Sequence, residues 1–175
     1  AVEATTKDAN NPEVWMFRGG MLRATGKPDE ALAAFDKVLA LRPQDRNANV
    51  EKAYIRIEQG KYAEARAEIE AGRKAAPNSL SVLHAQALVD HTEGKYAAAR
   101  ESLQKILKSA PEHLPSILLA GAVELNLGSN GQAEAYLRKY LAADPNNLYA
   151  RKLLAQALLK GCLLYTSDAA DDMQC

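Results

Sequence analysis

The chain has 175 residues, 47% of them hydrophobic, and its 22 Lys and Arg are balanced by 22 Asp and Glu. That composition supports a sizeable core and excludes disorder, while the absence of excess charge argues against nucleic acid or an anionic membrane surface as partner. No apolar run approaches the ~20 residues of a membrane span. Cys162 and Cys175 lie close to the C-terminus, so the region before them holds neither a disulfide framework nor a cysteine-based metal site.

In chain order, residues 1–11 read as the end of a second helix whose partner lies upstream. Repeats then follow at 12–45, 46–79, 80–113 and 114–147, with a lone first helix at 148–160. Three residue types set this division. Gly26, Gly60, Gly94 and Gly128 are 34 residues apart, as are Ala31, Ala65, Ala99 and Ala133, and Pro43, Pro77, Pro111 and Pro145. Each first helix is expected to end near its glycine, as in Thr25-Gly26-Lys27-Pro28, because glycine takes up the left-handed conformation that terminates a helix. Each second helix is expected to stop before its proline, which lacks an N–H and restricts the residue before it.

The period and these residues resemble the tetratricopeptide repeat, a helix–turn–helix unit of 34 residues. The resemblance implies an all-α fold: a right-handed α-solenoid of antiparallel helix pairs. Gly19, Ala53, Ala87, Gly121 and Ala155 fall where that family keeps a small residue on the first helix. The periodic alanines of the second helix would face them and let the helices approach closely. Trp15, Phe35, Ile69, Leu83, Leu103, Ile117 and Leu137 would fill the space around that contact.

The resemblance also implies a concave face lined by first helices, where such arrays bind partners. Its lining would be Met16, Gly20 and Arg23, then Val50, Tyr54 and Ile57, then His84, Leu88 and His91. Leu118, Ala122 and Leu125 follow, and last Tyr149 and Lys152. This mixed apolar and aromatic set suits a protein or peptide segment held in the groove. Relatives that grip a C-terminal carboxylate use Lys and Asn on the first helices. The matching positions here hold Met16, Gly20, Val50 and Tyr54, so this segment has no such clamp.

No chemistry stands out beside this binding reading. His84 and His91 share a helix face but lie about 10 Å apart along the axis, too far to share one metal ion. Glu64, Glu68 and Glu70 are expected to be solvated charges on exposed faces. The chain contains no phosphate-binding glycine loop, HExxH, Gly-x-Ser-x-Gly or credible cysteine nucleophile, so neither an enzyme nor a cofactor is expected.

A narrower resemblance lies in Gly121-Ala122-Val123-Glu124-Leu125-Asn126-Leu127-Gly128, in Gln132-Ala133-Glu134-Ala135-Tyr136-Leu137 and in Pro145-Asn146-Asn147-Leu148-Tyr149-Ala150-Arg151-Lys152-Leu153-Leu154-Ala155. These strings are similar to the repeat lipoproteins of the PEP-CTERM/exosortase system. That likeness implies a scaffold in the cell envelope, linked to exopolysaccharide export or surface-protein sorting and lipid-anchored outside this segment. The alternative is a cytoplasmic adaptor or co-chaperone. After Lys160 the repeat pattern stops. The run from Cys162 to Asp172 resembles a translated sequencing adaptor, so residues 161–175 are read as a non-native tail.

Overall fold

The computed structural model describes residues 10–171. Among them are nine helices and no strand: α1 (Pro12–Ala24), α2 (Pro28–Leu41), α3 (Arg46–Glu58), α4 (Tyr62–Ala75), α5 (Leu80–Thr92), α6 (Tyr96–Ser109), α7 (Leu114–Asn126), α8 (Asn130–Ala143) and α9 (Leu148–Asp171). The all-α expectation therefore holds. Most of the segment expected to be the end of an earlier helix, residues 1–9, lies outside the described residues, as do residues 172–175.

Local chemistry sets the helix boundaries. Asn11, Asp45, Ser79, His113 and Asn147 stand at the starts of the odd-numbered helices, again 34 residues apart. The Asp45 side chain accepts hydrogen bonds from the Asn47 and Ala48 amides, and the Asn11 side chain accepts one from Glu13. Each satisfies a donor that the first helical turn leaves unpaired. The four turn glycines have φ of 71–77°. At the first turn the Lys27 amide reaches the Leu22 carbonyl and the Gly26 amide reaches Arg23, which closes the end of α1. Arg42, before Pro43, leaves the helical region at φ −136°, and α2 ends there.

The fold divides into two compact units, Ala1–Glu93 and Gly94–Cys175. The division falls at the turn glycine of the third repeat. In the first unit, α1 packs on α2 and α3 on α4. One core gathers Ala31, Leu32, Phe35, Val38, Ala48 and Ile55 under Trp15 and Met16. A second gathers Val50, Ala53, Ile57, Ala65, Ile69, Val82, Ala85 and Val89. In the second unit, Ala122, Leu125, Ala133, Leu137, Leu153 and Ala157 form the corresponding cluster.

Ala31, Ala65, Ala99 and Ala133 are all fully buried, and so are Ala53 and Ala87 on the first helices. A Cβ added to Gly19 would lie 2.5 Å from the Phe35 ring, and one added to Gly121 would lie 2.7 Å from Leu137. The small residues thus set how closely the helices pack.

Two regions depart from the sequence expectation. Ala155, in the same register as Gly121, is exposed. The last helix does not end near Lys160. It runs unbroken through Gly161 to Asp171, with no left-handed glycine to stop it.

Candidate functional site

In the first unit, α1, α3 and α5 lie side by side, and Tyr54 touches both of its neighbouring first helices. Tyr54 on α3 has the Arg23 guanidinium of α1 over its ring, 5.1 Å from the centroid. Its hydroxyl lies 3.0 Å from Nδ1 of His84 on α5. Arg23 in turn donates to Glu51 at 2.9 Å and to Glu58 at 2.5 Å, both carboxylates being on α3. Burial works against the Arg23 charge, but hydrogen bonding and attraction from Glu58 and Glu51 outweigh it and raise the pKa. Burial also pushes the Tyr54 phenol up to about 12, helped by the Glu51 charge and opposed by Arg23. Burial lowers the pKa of His91 further along α5.

The residues expected to line a groove separate into two groups. Met16, Arg23, Tyr54, His84, Leu88 and His91 are half-buried on the first-helix face of the first unit, and Gly20 is exposed there. Val50 and Ile57 are only 3% and 8% exposed and belong to the core. The correction has a simple cause: their face of α3 turns toward Ala65, Ile69 and α5 rather than outward. In the second unit, Ala122 and Leu125 are buried in the core and Leu118 is half-buried against it. Tyr149 and Lys152 are exposed on α9. Accessible candidates therefore concentrate on α1, α3 and α5.

Several charges have roles that the sequence reading missed. Asp90 on α5 is buried. It accepts from Arg66 at 2.6 Å and from Gln86 at 2.9 Å. Arg66 also pairs with Glu93. One period on, in the second unit, Arg100 pairs with the buried Glu124 and donates to Ser129 at 3.0 Å. Glu68, expected to be a solvated charge, instead shares Lys52 with Asp36, at 2.8 and 2.9 Å. Burial opposes the Lys52 charge, but these two partners outweigh it and raise its pKa. The available signal was the recurrence of Arg66 and Arg100, and of Asp90 and Glu124, at the repeat period.

The sequence profile of the tetratricopeptide repeat matches residues 22–89 and 91–157. The chain belongs to the tetratricopeptide repeat family. No curated protein sequence matches it.

Solved repeat structures share the fold. A thermophilic tetratricopeptide repeat protein of Thermus thermophilus is 24% identical with a TM-score of 0.74, covering 85% of this chain and 82% of its own. PilW, a widely conserved type IV pilus biogenesis factor, is 19% identical with a TM-score of 0.77, covering 98% and 81%. The first repeat domain of Spaghetti, bound to the HSP90 peptide SRMEEVD, is 22% identical with a TM-score of 0.61, covering 66% and 92%. Tetratricopeptide repeats serve as protein-interaction scaffolds, and no catalytic family is indicated. Among the described residues, no helix is long and apolar enough to cross a membrane.

Proposed function

We propose that this chain is a protein-interaction scaffold whose first-helix face on α1, α3 and α5 holds a polypeptide segment of a partner. The observation that carries this reading is the position of Tyr54. It touches both neighbouring first helices, through Arg23 and through His84, so that three helices present one continuous face. Met16 and Leu88 lie half-buried on that face, and apolar contacts of this kind hold an extended or helical segment. The Spaghetti repeat domain, seen with a peptide bound, is a structural precedent. Its HSP90 ligand is not carried over, because the positions matching a carboxylate clamp hold Met16, Gly20, Val50 and Tyr54.

Selection of random dodecapeptides displayed on phage against the whole chain tests this reading. Binders are expected, and Leu88→Asn combined with Met16→Gln is expected to weaken them at least tenfold with the helical circular dichroism unchanged. Failure to select any binder, or binding indifferent to the double substitution, rejects the docking face.

The narrower assignment, an envelope lipoprotein linked to exopolysaccharide export or PEP-CTERM protein sorting, rests on the resemblance carried by the strings between Gly121 and Ala155. Reading the gene upstream of Ala1 tests it. A leader followed by a lipobox cysteine supports that placement, and a plain cytoplasmic start favours the adaptor reading.

A further inference from the structure

The charges on the docking face do not balance around Arg23. Two carboxylates, Glu51 and Glu58, meet one guanidinium. Arg23 uses Nη1 on Oε2 of Glu51 and Nη2 on Oε1 of Glu58, while Tyr54 covers its flat side. Arg23 thus gives one N–H to each carboxylate and sets one positive charge against their two negative ones. The other oxygens, Oε1 of Glu51 and Oε2 of Glu58, have no hydrogen-bond or ion-pair partner among the described residues. These three residues, with Gly20 and Ala24, border an open depression of about 340 Å³. A Cβ placed on Gly20 would meet no atom within 4 Å, so at that position the α1 wall is bare backbone, with the Ala24 methyl beside it. The depression thus combines a stretch of open backbone at Gly20, a net charge of −1 from Arg23, Glu51 and Glu58, and two carboxylate oxygens that no described side chain engages.

We infer that this depression receives a Lys or Arg side chain of the bound polypeptide. The partner segment is therefore one that carries a basic residue rather than an acidic tail. The aliphatic stem lies along Gly20 and Ala24, and the cationic head reaches the unpaired oxygens of Glu51 and Glu58. An acidic side chain at the same place meets like charge, which rejects it. Glu51 and Glu58 are both partly solvated, so the cation adds selectivity and a modest factor in affinity rather than most of the binding. The inference rests on the docking-face reading above.

The test uses the whole chain and the phage-selected dodecapeptides, labelled with fluorescein and titrated by anisotropy. One position enriched in Lys or Arg is expected. Replacing that residue by Gln weakens binding about fivefold, the range of a partly exposed ion pair. The double substitution Glu51→Gln and Glu58→Gln produces a similar loss, and the Gln peptide then loses nothing further. Ala24→Lys leaves the existing ion pairs in place and puts a competing cation at the rim. It is expected to weaken the basic peptides and spare the Gln peptides.

Selected peptides that depend on Leu88 and Met16 but carry no basic position, or an acidic one, overturn this inference and leave the docking face standing. An equal effect of the peptide Gln on both forms of the chain also overturns it. If no binder is selected, both readings fall together.

Discussion

The Tyr54 hydroxyl lies 3.0 Å from Nδ1 of His84, and the two rings meet edge to face with centroids 6.1 Å apart. This contact crosses from the first helix of one repeat to that of the next, so it ties neighbouring repeats rather than the halves of one. Removing the hydroxyl with Tyr54→Phe is expected to cost about 1 kcal/mol of stability, measured by urea unfolding.

The same phenol gives a pH dependence. Its folded pKa, pushed up to about 12, exceeds the ordinary tyrosine value of 10.0. The folded state therefore holds this proton more tightly than the unfolded chain. Its contribution is complete below pH 10 and is lost as pH rises through the folded value. Tyr54→Phe is expected to flatten the alkaline decline in stability between about pH 10 and 12. A decline unchanged by the substitution would show that the ring is not shielded as described.

The buried Asp90 predicts an asymmetry between two substitutions. Arg66→Leu leaves a carboxylate that is 6% exposed with Gln86 as its one remaining partner, and is expected to cost about 2–3 kcal/mol. Asp90→Leu leaves Arg66 one-third exposed and still paired with Glu93, so it is expected to cost less than about 1 kcal/mol. The double substitution should lie close to the parent chain, because paired apolar groups replace a desolvated pair. Equal losses for the two single substitutions would contradict this account.

Adjacent glycines on α1 predict opposite signs. Gly19→Ala drives a methyl to within 2.5 Å of the Phe35 ring and is expected to destabilise by about 1–3 kcal/mol. At Gly20 the methyl meets nothing, so Gly20→Ala is expected to stabilise by about 0.5–1 kcal/mol through helix propensity alone. Thermal unfolding of the two variants, followed by circular dichroism, reads the difference directly.

Ala65 and Ala99 extend the close-packing argument to the second helices. Both are fully buried. Ala65→Leu or Ala99→Leu is expected to lower stability by about 1–3 kcal/mol, whereas Ala63→Leu, on the exposed side of α4, should change it little.

Much of the fold was legible because its determinants are local or strictly periodic. Gly26, Gly60, Gly94 and Gly128 mark turns through a backbone conformation that one residue controls by itself. The prolines mark the ends of the second helices for a similar reason. The groove was less legible. Val50 and Ile57 were expected on the open face, yet family register does not reveal which side of α3 its neighbours cover. Glu51 and Glu58 escaped notice because each looks like an ordinary surface carboxylate. They become informative once Arg23, 28 and 35 residues earlier, lies against them.

The sequence by itself determined the helix–turn–helix unit, its 34-residue period, the small residues at the helix contacts and hence the family, since each depends on a single residue's backbone preference or size. Tertiary structure decided which members of the periodic set stay accessible, which charges are buried in pairs and where Arg23 spends its charge. Those outcomes depend on desolvation and on partners distant in the chain, and neither can be read from residues that lie one after another.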